Sequence, residues 1–365
     1  MEEEPTIEAD AEMTTAAHDD ARFAASKAHP AVAPTVSVVI PTYNRLPRLR
    51  RVLEALSSQT VGPGGFEVVV VSDGATDGTD EFVTAAEMPY ELVFASQPNR
   101  GPAAARNTAV AMASAGLLVF LDDDVIPSAE LIEQHVVTHA GDPGALVVVG
   151  PMLDPPGYRR SPLVRWEQAM LYKQYEAMRR GDYPATYRQF YTGNASVSRD
   201  RLLDAGGFDE RFRRAEDVEL AYRLHLNGAK FVFNESAIGH HYAERSFSSW
   251  VRNARDYGRN DVIFDREYGC RDRLLAARWE FHRRHALTRS LTRACVGRPR
   301  LESSLRWPVR GTVAVAERLR LEGLTEFVLS GLYNTSYYCG MAEELGSARA
   351  FRNLMEAADE PGRSA

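Results

Sequence analysis

The chain has 365 residues, 44% of them apolar, and carries a net charge of −7. That is enough apolar material for one large α/β domain with an appendage or for two modest domains, and the negative balance argues against DNA or RNA as a general ligand. The three cysteines, Cys270, Cys295 and Cys339, are too few and too scattered for a zinc site or a disulfide framework, and they suit a reducing cytoplasm.

From Met1 to Pro34 the chain holds eight acidic residues against Arg22 and Lys27, with little to bury. The segment 1–34 therefore reads as a disordered acidic tail. Its start, Glu2 to Glu4, lacks the basic stretch and apolar core of a secretory leader. Thr35 to Ile40 (TVSVVI), closed by Pro41, is a β-branched apolar run of the kind buried on both faces of a parallel sheet. A helix follows over Leu46 to Ser58. The unit recurs as strand Phe66–Val71 with helix Gly78–Glu87, strand Tyr90–Ala95 with helix Pro102–Ala115, and strand Leu117–Leu121 with helix Ser128–His139. Four alternations of strand and helix predict a mainly parallel sheet with helices on its faces, and ligands collect outside the carboxyl ends of such strands.

After Val149 a Pro-rich connection (Pro151, Pro155, Pro156) leads to a helix near Leu163–Arg180 and a strand around Phe190–Ser198. The helix Ala215–Leu226 and the strand Lys230–Phe233 come next. From Arg271 to Arg320 there are thirteen arginines and four acidic residues. Leu274, Leu275, Trp279, Leu287 and Leu291 recur there at helical spacing, so one face can pack while another stays charged. That charged face suits an anionic acceptor or the cytoplasmic membrane surface; the plainer alternative is that its arginines pair with acidic residues of the remaining chain. The best apolar run, Phe327 to Tyr338, is interrupted by Asn334, Thr335 and Ser336 and falls short of a membrane span.

Chemistry-bearing residues gather at the strand ends. Asp122, Asp123 and Asp124 follow an apolar strand directly, where their mutual repulsion calls for a cation; hard oxygen ligands suit Mg²⁺ or Mn²⁺. A solvated acidic loop or a helix cap is the alternative. Asp73, in Ser72-Asp73-Gly74, can accept hydrogen bonds from a base or ribose, or can simply make a turn. Arg106, behind Asn99-Arg100-Gly101-Pro102, faces either phosphates or a surface carboxylate. Glu216-Asp217 opens a helix, where the dipole favours acids without any catalytic purpose. The loop Gly206-Gly207-Phe208-Asp209-Glu210 could bring that helix start into the cleft, and a carboxylate there could serve as a general base. Of the adjacent His240 and His241, one at most reaches such a metal, because neighbouring side chains in an extended segment point oppositely. The sequence has no Walker loop, Rossmann fingerprint or nucleophile elbow.

Taken in order and spacing, VSVVIPTYNR, the strand-end SDG, NRGPAAARN, FLDDDVIP, GGFDE and AEDVELAYRL resemble the family-two inverting glycosyltransferases of the GT-A fold over Thr35 to His241. The resemblance implies a Rossmann-like GT-A domain at 35–265, with a nucleotide-sugar-binding half at 35–125 and an acceptor-binding half at 150–245, followed by a mainly helical region at 266–365. It implies that Pro41 and Tyr43 line the base and that Asp73 bonds the base or ribose. Arg106, Asp122 and Asp123 would belong to the donor site, Asp124 with Asp122 and His240 would hold Mn²⁺ or Mg²⁺, and Asp217 would be the base. The implied activity is metal-dependent single displacement from a nucleotide-diphosphate sugar to a hydroxyl of a saccharide, natural-product aglycone or lipid-linked acceptor. The implied setting is the cytoplasm, with peripheral contact at the inner face of the membrane and no nucleic acid partner. A nucleotidyltransferase of similar design, or a silent nucleotide-sugar-binding subunit, are the alternatives. The first should carry an early glycine- and basic-rich loop that Pro41-Thr42-Tyr43-Asn44 is not, and the intact Asp124 and Asp217 argue against the second.

Overall fold

The computed structural model describes residues 22–25, 34–142, 144–212 and 215–357. Most of the expected acidic tail thus lies outside the described residues. Residues 22–25 form a short strand, which the low apolar content of that stretch did not announce. The chain divides into two compact units, one within Met1–Leu153 and Tyr183–His241, the other within Asp154–Asp182 and Tyr242–Ala365.

The strands of the first unit, in chain order, are β1 (Arg22–Ala25), β2 (Val36–Thr42), β3 (Phe66–Asp73), β4 (Glu91–Gln97), β5 (Leu117–Leu121), β6 (Val125–Pro127), β7 (Leu146–Val149), β8 (Met152–Leu153), β9 (Asn194–Ser198), β10 (Lys230–Phe233) and β11 (Gly239–His241). Eight make one sheet in the order β1-β4-β3-β2-β5-β9-β7-β10, and β6, β11 and β8 make a second. The core strands β2 to β5 are parallel, as are β7 and β10, while β9 runs antiparallel between β5 and β7. Every residue of β3 is buried, and of β2 only Pro41 is not, which accounts for their unbroken β-branched runs: both faces are covered. The helices Leu46–Leu56, Thr79–Ala85, Pro102–Met112 and Leu131–His139 follow their strands as the periodicity predicts. The last starts at Leu131 rather than Ser128, whose N–H donates to the Ile238 carbonyl.

The strand order reverses at β2, whose neighbours are β3 on one side and β5 on the other. Pairing with β3 continues through Thr42, whereas pairing with β5 ends at Val39 and Phe120. Pro41, with no N–H to donate, therefore sits past the last β5 partner. The parting of β2 and β5 opens a crevice at the carboxyl ends of the strands, the ordinary place for a ligand in an open α/β sheet.

The second unit, as far as it is described, is helical, with long helices at Pro162–Arg180, Phe247–Tyr268 and Glu322–Glu344 and five shorter ones between Arg271 and Glu356. The expected division at residue 265 falls inside the helix Phe247–Tyr268. That helix packs closely on Glu322–Glu344: a Cβ on Gly258 would lie 1.9 Å from the Tyr337 carbonyl oxygen, and one on Gly340 would lie 2.1 Å from that of Arg255. Only glycine lets the two backbones approach so nearly. The stripe expected to pack as one face is split. Leu274 is buried, but Leu275 and Trp279 are exposed because the helix Arg271–Arg283 buries the side of Leu274, Ala277 and Phe281 instead, and Leu287 is exposed on the next helix, which starts at Ala286. No helix among the described residues is long and apolar enough to cross a membrane.

Candidate active site

The carboxylates after β5 point two ways, because the chain turns at Asp123 and Asp124 between β5 and β6. Asp123 accepts a hydrogen bond from the Thr42 hydroxyl (2.8 Å) and one from Arg45 Nη1 (3.0 Å). Asp124 takes Arg45 Nη1 at 2.8 Å and Arg48 Nη1 at 3.3 Å, and His241 Nε2 stands 3.5 Å from its other oxygen. Asp122 turns the other way and accepts from Arg106 Nη2 at 2.9 Å. A Cβ on Gly193, which faces it, would come within 3.0 Å of an Asp122 oxygen and 2.7 Å of the Met152 sulfur. Asp122 is also the most open of the three, with a side chain 36% exposed.

Those surroundings separate neighbouring acids. Burial pushes Asp123 up to about 6, against the opposing pull of Arg45 and Thr42. Burial works the same way on Asp124, but the His241 contact and the charges of Arg45 and Arg48 outweigh it and bring Asp124 down to about 2. Oxygen donors of this kind fit a hard divalent ion, which takes one or two carboxylates and completes its shell with substrate phosphates. They do not form a cage on their own, since among the described residues no three histidine, cysteine or carboxylate side chains converge to hold a metal. The guanidinium of Arg45, shared by Asp123 and Asp124, supplies positive charge where the carboxylates crowd.

Arg106 is 4% exposed and joins two distant parts of the chain. Its Nη2 donates to Asp122 and its Nη1 to Glu216 at 2.8 Å, while the guanidinium lies over the Phe208 ring with 5.7 Å to the centroid. Asp217 is next to Glu216 in the first turn of the helix Glu216–Leu226 and accepts from the Val218 N–H at 2.8 Å. Burial first, and the charge of Glu216 second, raise Asp217 well above the ordinary carboxylate range, with Arg106 pulling the other way. The loop Gly206–Glu210 is held by Asn107, which bonds both the N–H and the C=O of Phe208 at 2.9 Å, and by Arg223, which donates to the Ala205 and Gly207 carbonyls. Ala215, just before the helix, has φ +58°, a left-handed conformation that costs a non-glycine residue about 1 kcal/mol.

Asp73, at the end of β3, is buried and accepts from Gln97 Nε2 (2.8 Å) and from the backbone N–H groups of Arg100 (2.9 Å) and Gly101 (2.8 Å). Both its oxygens thus bond the start of the helix Pro102–Met112. Pro41 is the next-to-last residue of β2, and Tyr43 just past the strand is half exposed. Of the two histidines, the structure brings His241 to Asp124, whereas His240, expected at the metal, pairs in register with Ile126 and its buried Nδ1 has no hydrogen-bond partner. The reason is register: β11 pairs with β6 so that His241 faces Val125, the residue after Asp124.

Several residues that hold this arrangement have no role that the sequence announces, although Thr42, Arg45, Asn107 and Arg223 lie within the quoted motifs. Thr42, Arg45 and Asn107 act across long chain separations, and so does Asn194. Its Nδ2 donates to the Pro151 and Ala237 carbonyls at 3.0 and 2.7 Å, its Oδ1 meets His135 Nε2 at 3.0 Å, and so it fixes the segment leading into β11.

Residues 37–206 match the family model for glycosyl transferase family 2. Validoxylamine A glucosyltransferase of Streptomyces hygroscopicus subsp. limoneus is 35% identical over 234 residues, which is 56% of this chain and 51% of that protein. Pre-mycofactocin glycosyltransferase of Mycobacterium tuberculosis is 30% identical over 226 residues, 61% of this chain and 46% of that one. The chain spans about half the length of these curated relatives. Among solved structures, a mannosyltransferase from Pyrobaculum calidifontis in complex with GDP-Man and Mn²⁺ aligns with a TM-score of 0.56 at 20% identity, covering 84% of this chain and 87% of that one. Residues 1–349 of S. aureus TarS in complex with UDP align with a TM-score of 0.50 at 19% identity, covering 86% and 92%. The matched stretch contains the parallel strands β2 to β5, the parting of β2 and β5 and the aspartates that follow β5, so residues 37–206 carry the likeness to glycosyl transferase family 2, and the fold is that of the GT-A enzymes.

Proposed function

We propose that the protein is a metal-dependent inverting glycosyltransferase that moves a sugar from a nucleotide-diphosphate sugar to an acceptor hydroxyl in one displacement. The observation that carries this reading is Arg106, whose two amino groups join Asp122 at the end of β5 to Glu216 beside Asp217. A donor-side carboxylate and a candidate base from a segment more than ninety residues away are thereby held in one cluster.

In this reading Asp217 accepts the proton of the acceptor hydroxyl. Its burial favours the task, since a carboxylate titrating nearer neutrality is a stronger base than an exposed one. Pro41 and Tyr43 line the base. Asp73 shapes the floor on which the base and ribose rest, because it is bonded to the backbone that opens the third helix. Asp122 and Asp123 belong to the donor site with Arg106, and Asp124 and Asp122, with His241 in the place first given to His240, are the side chains that would hold the ion. A bound Mn²⁺ or Mg²⁺ supplies neutralisation of the departing diphosphate. Arg45 and Arg48 keep Asp123 and Asp124 compensated when no ion is bound. The three free, buried cysteines suit a reducing cytoplasm.

The test is a panel of UDP- and GDP-sugars offered with hydroxylated acceptors, with nucleoside diphosphate release as the readout. Release with at least one donor is expected. Asp217→Asn should lower kcat by about 10²–10⁴-fold and leave donor Kd nearly unchanged, because the amide keeps the shape and loses the proton acceptor. Turnover of that variant within a few-fold of the parent removes Asp217 from the role.

A further inference from the structure

The helical unit holds an arginine-rich surface outside the residues assigned to the transfer reaction. From Arg289 to Leu321 the chain has eight arginines and two acidic residues, Glu302 and Glu317. Both acids are taken from within the unit. Glu302 is buried and accepts from Arg255 at 2.6 Å and Arg306 at 3.3 Å, and Glu317 accepts from Arg165 at 2.6 Å. Among the described residues, Arg306 is the only one of the eight that forms an ion pair. The others bond carbonyls, lie over rings or extend into solvent: Arg298 donates to the Ala294 carbonyl, Arg293 covers Phe281, and Arg310 lies between Phe247 and Trp307.

The helix Arg306–Arg318 has two unlike faces. Val309 and Val313, with the preceding Leu305, pack on the cluster around Trp250 and Leu329, and Ala316 is buried on the same side. The outward side carries Trp307, Arg310, Val315 and Arg318, with Leu319 just past the helix end. Trp307 is 79% exposed, Val315 58% and Leu319 61%. Large apolar residues set outward among unpaired arginines have no gain to make in water.

We propose that this face docks on the surface of an anionic lipid bilayer. It is an interaction beyond the transfer reading and does not depend on it. Charge complementarity selects the partner. Arginines with no carboxylate of their own are attracted to an anionic headgroup layer, worth about fivefold in binding for each residue near the surface. The outward Trp307, Val315 and Leu319 enter the headgroup boundary as the apolar face of an interfacial helix does, with the arginine stems lying along it. A second copy of the chain fits less well, because a two-fold contact sets this arginine-rich face against itself. Nucleic acid would satisfy the arginines and leave Val315 and Leu319 without a partner.

Cosedimentation of the full chain with vesicles tests this, using phosphatidylcholine alone and phosphatidylcholine with about one third phosphatidylglycerol. The expected result is binding to the anionic vesicles at low ionic strength, at least about tenfold weaker on neutral ones and suppressed by high salt. Arg310→Gln and Arg318→Gln should each lower binding about fivefold, and Trp307→Ser should lower it on anionic vesicles without changing its salt dependence. Equal partitioning to both vesicle types overturns the proposal, as does indifference to both Arg310→Gln and Arg318→Gln. A concentration-dependent dimer that Trp307→Ser abolishes, with no vesicle binding by the parent, overturns it in favour of self-association. The parent's own lipid and salt dependence decides the matter if a variant folds poorly.

Discussion

Arg106 shows how one side chain can serve both structure and chemistry. A guanidinium is always charged, so burying it requires carboxylates on its two amino groups, and Asp122 and Glu216 provide them. Replacing it by methionine keeps much of the volume and leaves two acids uncompensated. Arg106→Met is expected to cost about 3 kcal/mol in a denaturant titration. The same change should also show in the pH profile. Asp217 must be ionised to accept a proton, so kcat rises with pH through its raised value and levels above it, and the acidic limb lies well above the ordinary value of about 4. Arg106 holds that value down, so Arg106→Met should move the limb to still higher pH. A limb that stays in place in the variant, or a profile flat from about pH 5 to 8, would separate Asp217 from the proton transfer.

Among the elements, the parallel strands were legible because their signal is local: a strand covered on both faces must be apolar throughout, and β3 is. The helices behind them were legible for the same reason. β9 was found as a strand, but its direction and place were not, since an antiparallel strand between β5 and β7 is defined by its partners rather than by its own residues. In the helical unit the crossing of Phe247–Tyr268 with Glu322–Glu344 turns on Gly258 and Gly340, which look like ordinary helix interruptions in the sequence. Gly258→Ala drives a methyl group into the Tyr337 carbonyl and should destabilise the protein by about 1–3 kcal/mol, measured by urea unfolding. At Gly311, where a Cβ meets nothing within 4 Å, the same substitution should instead be neutral or stabilising. Equal effects at the two sites would show that packing, as distinct from helix propensity, is not what Gly258 serves.

At the scale of the whole molecule, ligand binding reads out as stability. A donor that binds the folded chain alone stabilises it by about 2.7 kcal/mol at a hundred times its Kd. Melting curves with UDP or GDP and Mn²⁺ are therefore expected to shift upward, with EDTA removing most of the shift. Asp124→Ala should do the same, because it takes away a side chain that would face the ion. A shift that survives both changes would leave the donor site standing without its metal.

By itself the sequence determined the four strand–helix alternations of the first half, the apolar runs of the parallel core and the clustering of acids at strand ends, because hydrophobic burial and backbone periodicity act over a few neighbouring residues. It also set out the excess of arginine in the helical unit, a matter of composition alone. Tertiary structure decided the rest of the site. Arg45 reaches Asp123 across 78 positions, and Arg106 reaches Glu216 across 110. His241 rather than His240 stands at Asp124 because a three-strand sheet sets the register there, and either histidine alone would look the same in one dimension. Charges this close choose partners by distance and burial, and neither quantity exists until the chain has folded.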